Sequence, residues 1–257
     1  MRIVSYNTNG IRAAIKKGLI EWLSESPADI LCIQETKAHP GDVDMRSFEQ
    51  LGYHAYWFSA QKKGYSGVAV FTKQKPIEVI YGTGHPQSDA EGRVIQLIFP
   101  TFTLINAYFP SGTSGDERQE YKYQWLREIN EYVNELRKKQ PNIILCGDYN
   151  IAHTEIDIHD PKGNKNSSGF LPDERAWMDA WIQQGWIDSF RELHPTTTGA
   201  YSWWSQRFPS VRLQNKGWRI DYICTTNSLL PFYKAAGILP NIKHSDHCPI
   251  FLDIEIQ

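Results

Sequence analysis

Short apolar runs recur along the whole chain, and no long one occurs. Nine stand out: Arg2–Tyr6, Ile30–Ile33, Tyr53–Phe58, Val68–Thr72, Val94–Phe99, Thr103–Tyr108, Ile143–Cys146, Arg219–Thr225 and Ile250–Ile254. Each is of strand length and bounded by Gly, Pro, Asn or Asp, the residues that end strands in turns. Helical spacing is rarer. Ile11, Ile15, Leu19, Trp22 and Leu23 predict one helix, and Trp125, Leu126, Ile129, Val133 and Leu136 a longer one. The longer helix has a start signal, Asp116 three residues ahead of Gln119, in the pattern of a capping box. A third helix is expected from Asp173 to Gln184. Many strands with a few interspersed helices predict an α/β or α+β fold. No repeat, low-complexity tract or linker divides residues 1–257, so one domain is expected.

Composition narrows the function classes. Hydrophobic residues at 41% and charged residues at 22% are globular proportions, not those of a disordered chain. A net charge of -2 argues against a protein that coats nucleic acid, whose basic patches usually raise the pI. It leaves a nuclease open, because the carboxylates of a metal site offset Lys and Arg elsewhere. Cys32, Cys146, Cys224 and Cys248 form no CxxC pair, and three sit in or beside apolar runs. They read as reduced, mostly buried thiols, and no second Cys/His pair has the spacing of a zinc site. No apolar run approaches the roughly 18 residues of a membrane span. The opening MRIVSYN leaves no room for a leader, so the expected location is cytoplasmic.

Four strand candidates end in, or carry, polar residues able to do chemistry. IVSY runs into Asn7-Thr8-Asn9-Gly10, ILCI into Gln34-Glu35-Thr36 and IILC into Gly147-Asp148-Tyr149-Asn150, while WRIDYI carries Asp221. Taken singly, Asn7 is a turn former, Glu35 a surface carboxylate, and Asp148 and Asn150 an Asx turn. Gathered at strand ends, where sites of layered α/β proteins form, they make an oxygen-rich environment for Mg²⁺ or Mn²⁺. Lys243-His244-Ser245-Asp246-His247-Cys248-Pro249 precedes the last apolar run. Asp246 and His247 are adjacent, so their side chains diverge and His247 needs another partner. Asp221 is the candidate, since a carboxylate fixes an imidazole tautomer and stabilises its cation. Such a cation can hold a phosphate.

These motifs resemble those of the exonuclease III and abasic endonuclease family, within the wider endonuclease/exonuclease/phosphatase superfamily. SYNTNGIRA, LCIQETK, SGVAVFTK, NAYFPSG, LCGDYNIAHTEID, PKGNKNSSGF, GWRIDYI and SDHCPI stand in family order over nearly the whole chain. The resemblance implies a four-layered α/β sandwich, two facing β-sheets flanked by helices, with the site at one edge. It implies a metal-binding Glu35 with Asn7 beside it, and a candidate ligand set that also takes in Asp148, Asn150, Asp246 and His247. It makes Asp148 the residue that activates water and Asn150 its partner. Tyr108 stands near the phosphate, Asp221 and His247 form the Asp–His pair, and Asn164 is a phosphate-side amide. Arg118, Lys162 and Arg207 are candidate contacts to the DNA backbone. Ala200 to Arg219 contains no Asp or Glu, so Arg207, Arg212, Lys216 and Arg219 add to that positive charge. Trp203, Trp218 and Ile220 fall where relatives line a pocket for a flipped-out sugar, although in a chain with nine Trp they are also ordinary core candidates.

The activity so implied is Mg²⁺- or Mn²⁺-dependent incision of double-stranded DNA on the 5′ side of abasic sites, by water attack. 3′-to-5′ exonuclease and 3′-phosphatase or phosphodiesterase action on blocked 3′ ends accompany it, in a monomer without membrane attachment. Ser111 and Ser167, where Asn is common, and the sparsely basic stretch around Ser114 and Arg118 depart from the pattern and leave the balance of activities open. Two other readings compete. A phosphoesterase acting on phosphoinositide, sphingomyelin or RNA would share the Glu, Asp-x-Asn and Ser-Asp-His elements, but not PKGNK…GF or GWRIDY. A non-catalytic lesion-binding module would not be expected to keep every catalytic position filled.

Overall fold

A computed structural model describes residues 1–208 and 210–256. All nine apolar runs are strands, with ends shifted by at most two residues. They are β1 (Arg2–Asn7), β2 (Ile30–Gln34), β3 (His54–Phe58), β4 (Val68–Thr72), β6 (Val94–Ile98), β7 (Thr103–Tyr108), β8 (Ile143–Asp148), β10 (Asp221–Thr226) and β12 (Ile250–Ile254). Three further strands carried no signal: β5 (Glu78–Tyr81), β9 (Trp186–Asp188) and β11 (Tyr233–Ile238). Each of the three is an edge strand. An edge strand has one neighbour and need not be apolar, so its periodicity is weak.

The strands form two six-stranded sheets, ordered β11-β12-β1-β2-β4-β3 and β5-β6-β7-β8-β10-β9. Both sheets follow one plan. A single parallel pair, β1–β2 or β7–β8, sits at the centre and every other pairing is antiparallel. The C-terminal ends of β1, β2, β7 and β8 therefore meet the N-terminal ends of β10 and β12 at one edge of the sandwich. That edge receives every polar strand end singled out in the sequence.

Ile3, Cys32, Val70, Leu97, Ile144 and Ile223 belong to the apolar layer between the sheets. The helices cover the outer faces. Against the first sheet pack α1 (Ile11–Lys16), α2 (Leu19–Glu25) and α3 (Arg46–Gln50), through Ile11, Leu19, Leu23 and Phe48. After α4 (Pro86–Ala90), the long α5 (Asp116–Arg137) and α6 (Pro172–Gln183) cover the second sheet through Trp125, Leu126, Ile129, Val133 and Met178. Burying Leu126, Ile129 and Val133 stabilises the fold by about 1.5–3 kcal/mol each. The arrangement is the expected four-layered sandwich. Two short helices, α7 (Ser189–Leu193) and α8 (Ser210–Leu213), complete the set.

Two local expectations are corrected. The helix expected through Ile11 and Leu23 is broken, because Gly18 takes a left-handed φ of 99° and starts α2 afresh. Asp116 does not cap α5. Gly115 holds the cap position, and Gln119 instead donates to the Glu174 carboxylate on α6 at 3.1 Å. A buried acceptor on a neighbouring helix outcompetes the local box. All four cysteines are free and buried. Among the described residues no helix is long and apolar enough to cross a membrane.

Candidate active site

The edge of the sandwich assembles side chains from both sheets. The first sheet brings Asn7 at the end of β1, Glu35 just past β2, and Asp246 and His247 just before β12. The second brings Tyr108 at the end of β7, Asp148 at the end of β8, Asn150 two residues on, and Asp221 at the start of β10, in register with Asp148. Glu35 and Asn150 both take positive φ, 49° and 54°, which side chains other than Gly adopt at a cost. Gly147 permits the approach of β8 to β7, since a Cβ there would lie 1.8 Å from the Ala107 carbonyl oxygen.

Asn7 links the two sheets. Its Nδ2 donates to Glu35 Oε1 and to Asp148 Oδ2, both at 2.9 Å. Its oxygen accepts the Asn9 amide at 2.9 Å and so faces away from the carboxylates. Asn7 thus bridges the two acids through its amide nitrogen. Asp148 Oδ1 accepts the Asn150 amide at 2.8 Å, and Asn150 Nδ2 is held by the Phe109 carbonyl at 2.9 Å. His247 Nδ1 lies 2.9 Å from Asp221 Oδ2, the pairing anticipated from the divergence of Asp246 and His247. Ser202 Oγ donates to the same Asp221 oxygen at 2.6 Å. The other imidazole nitrogen, Nε2, is 3.8 Å from Asp148 Oδ2.

Burial, the charge of Asp221 and, more weakly, that of Glu35 push the Asp148 carboxyl up to about 7, against the pull of His247. Burial also works against a charge on His247. Asp221, aided by Asp148 and Asp246, outweighs it and holds the imidazolium up to about 10. The charged form of His247 is thereby favoured, and an imidazolium can hold a phosphate. Glu35 is held below its ordinary range: burial opposes this, but the Lys37 ammonium at 2.7 Å and Asn7 prevail. Asp246 is also lowered despite burial, by His247 and by hydrogen bonds from Asn9 at 2.9 Å and Trp203 at 3.1 Å. Those bonds, one to each oxygen, hold Asp246 at the rim of the site. Burial and the Glu35 charge raise the Tyr108 phenol well above its usual range, leaving it a neutral O–H donor.

Ligand atoms of Glu35, Asp148 and His247 lie within 4.8 Å of one another. The donors are carboxylate oxygens and one imidazole nitrogen. The raised Asp148 carboxyl marks an excess of buried negative charge that Lys37 and His247 do not relieve. A hard divalent cation fits such a donor set and such a deficit.

These residues form the floor of a cavity of about 940 Å³. Trp203, Trp218 and Ile220 line its side, the two indoles edge to face at 5.9 Å. Ile220 also packs on Ala152, Ile158 and Phe170, so this wall is continuous with a small core.

Several expected DNA contacts turn elsewhere. Arg118 points inward to Glu91 at 2.9 Å and Tyr65 at 3.0 Å. Asn164 donates to the carbonyls of His159 and Asp160, 3.2 and 2.9 Å away, bracing its own turn, while Asn166, Ser167 and Ser168 reach the cavity. Arg212 binds the carbonyls of Ser245, Pro240 and Ile242, and Arg219 is buried against Asp157 and Asp188. Lys162 and Arg207 remain exposed. Sequence reasoning passed over Asn9, Lys37 and Ser202. Asn9 and Lys37 lay inside motifs already quoted, whereas Ser202 gave no local signal, being 19 residues from the Asp221 it holds.

A carboxylate pair, an imidazolium with its own carboxylate, and a phenol at the joined edge of two mixed sheets define a hydrolase of phosphate esters. Residues 4–247 match the profile of the endonuclease/exonuclease/phosphatase family, and the chain belongs to that family. It is 46% identical to an exodeoxyribonuclease of Bacillus subtilis (strain 168), over all of both chains. It is 40% identical to the DNA repair nuclease APEX1 of Danio rerio, over all of this chain and 83% of that one. A solved structure of the 3′ phosphatase NExo from Neisseria, bound to a product DNA hairpin, is 26% identical and superposes over 99% of each chain with a TM-score of 0.92. The chain is accordingly an enzyme that hydrolyses phosphodiester bonds, with a DNA-repair nuclease role.

Proposed function

We propose that this site cuts double-stranded DNA on the 5′ side of an abasic residue. The same centre removes nucleotides and phosphate groups from 3′ ends, since each of these reactions is one phosphoester cut beside a 3′ oxygen. The observation that carries the reading is the placement of Asp148, poised near neutrality, within 3.8 Å of a cationic His247. Glu35 and Asp148, with Asn150 alongside, would hold a divalent cation, Mg²⁺ or Mn²⁺, which would supply Lewis-acid charge neutralisation at the phosphate. Asp148 takes the proton of the attacking water and Asn150 orients that water. The water oxygen bonds to phosphorus, the bond to the 3′ oxygen breaks, and that oxygen takes up a proton from solvent as Asp148 returns its own to solvent. His247 and the Tyr108 hydroxyl donate to the non-bridging oxygens. The products are a 3′ hydroxyl and a 5′ deoxyribose phosphate, with no covalent intermediate. Lys162 and Arg207 contact the DNA backbone, and residues 1–257 act as one monomeric, cytoplasmic domain.

Incision of an abasic duplex, blocked by EDTA and restored by Mg²⁺, tests this reading. A borohydride-stable enzyme–DNA adduct would point to lyase chemistry and overturn it. The metal assignment makes a separate demand. Glu35→Ala should cripple turnover at low Mg²⁺ and recover in part as Mg²⁺ rises, with duplex binding little changed. Wild-type Mg²⁺ dependence in this variant rules Glu35 out. If Glu35→Ala removed incision and spared exonuclease action, a single shared site would be excluded.

Selection of the lesion follows from the cavity wall. A sugar without a base costs least to extrude, because stacking and pairing are already lost. An apolar wall of Trp203, Trp218 and Ile220 then sorts by size and reads no base edge. Trp218→Ala should keep measurable abasic cleavage but narrow its advantage over intact duplex. An equal loss on all substrates, or an unfolded variant, assigns Trp218 to the core.

A further inference from the structure

The catalytic centre is split between two sheets, and apolar packing alone does not set their register. Hydrophobic contact is non-directional, so a small slide of one face over the other changes little buried area. The same slide would part Glu35 from Asp148, and a misplacement of about 1 Å costs on the order of a hundredfold in rate. Some directional contact must therefore fix the sheets near this edge.

One lies directly beneath the site. Asn106 on β7 reaches into the opposite sheet, where its Nδ2 donates to the Ile33 carbonyl at 3.0 Å and the Ala69 carbonyl at 2.9 Å. Its oxygen accepts Gln34 Nε2 at 2.7 Å, and the same Gln34 nitrogen lies 3.0 Å from Ser5 Oγ. One strand of the second sheet is thereby tied to β1, β2 and β4 of the first. Asn106, Gln34 and Ser5 have no exposed surface. Gln34 immediately precedes Glu35 and is the register partner of Asn7, while Asn106 stands two residues before Tyr108.

The cluster carries a cost that an apolar core would avoid. Gln34 Oε1 is buried without a partner among the protein's own groups, which costs stability. The register partners of Gln34 and Asn106, Val68 and Cys146, belong to the apolar layer between the sheets. A costly polar contact in such a place points to a gain other than stability.

We infer that Asn106 and Gln34 form a polar bolt between the sheets that holds Glu35 opposite Asp148. They are positioning residues and touch no reacting atom. The inference rests on the reading of Glu35 and Asp148 as the metal-holding pair.

Gln34→Met and Asn106→Ala test it. Mn²⁺ affinity is measured on folded protein without substrate by electron paramagnetic resonance, alongside thermal unfolding and incision kinetics. Each variant should unfold at lower temperature. Each should also bind Mn²⁺ roughly tenfold or more weakly and lose about 10–100-fold in kcat, the range for contacts that orient metal ligands. KM for duplex, set by exposed backbone contacts, should hold within about twofold. Lower thermal stability with wild-type Mn²⁺ affinity and kcat would make the cluster merely structural and overturn the inference. Should Asn106→Ala fail to fold, Gln34→Met decides alone, because it leaves both carbonyl bonds of Asn106 in place. Glu35→Ala separates the two layers of argument. Wild-type Mn²⁺ binding in that variant removes the metal reading and the bolt with it. Loss of binding there, with wild-type affinity in Gln34→Met, overturns the bolt alone.

Discussion

In the Asp148→Asn protein, incision of abasic DNA should fall by roughly a thousandfold or more while the fold persists. The amide keeps the shape of the carboxylate but cannot accept the proton of water. Stability should move the other way. Burial and Asp221 raise the folded carboxyl to about 7, above its unfolded value of about 3.9. The unfolded chain then releases the proton first, so this residue lowers stability as pH climbs from about 3.9 to 7. At pH 8, in metal-free protein, the Asn variant should therefore melt at or above the wild-type temperature. Single-turnover incision and thermal melts measure both quantities. Activity within tenfold of wild type would remove Asp148 from the role of base, and a large fall in melting temperature would show it to be a structural residue.

His247→Ala should cost roughly a hundred- to ten-thousandfold, because a buried cation is lost from the phosphate site. The pH profile gives the sharper check. His247 holds its proton up to about 10, so its phosphate contact is lost only as pH rises through that value. The sign for stability is the same. A folded pKa above the unfolded value of about 6.5 contributes stability that is full below 6.5 and gone above about 10. Asp221→Asn removes the main counter-charge and leaves burial less opposed. The alkaline limb of the rate profile should then move acidward by at least about one pH unit. An unmoved limb would detach His247 from the chemistry that Asp221 is assigned to support.

Much of this arrangement is visible in local pattern. Strands buried between two layers must be apolar along their length, and β1, β2, β4 and β8, every residue of which is buried or nearly so, announced themselves that way. Edge strands β5, β9 and β11 answer to no such demand and passed unnoticed. Adjacency was informative too, since neighbours such as Asp246 and His247 cannot readily pair, and that led to Asp221, 26 residues away. Charge counting was a weaker guide. Arg212 and Arg219 stood in a basic stretch, but a guanidinium is satisfied by whatever carbonyls and carboxylates the fold brings near.

Local pattern gave an α/β or α+β class, the identity of the strands that carry chemistry, and the residue types at their ends, while the four layers came with the family resemblance of the motifs. Periodicity and turn chemistry act over a few residues. Tertiary structure alone decided which ends meet. Asn9 and Asp246 are hydrogen-bonded across 237 positions, Asn7 and Asp148 across 141, and Gln34 and Asn106 across 72. It also raised the Asp148 carboxyl and stabilised the charged form of His247. Such pKa values come from burial and from charges of other strands, and no local stretch of chain contains either.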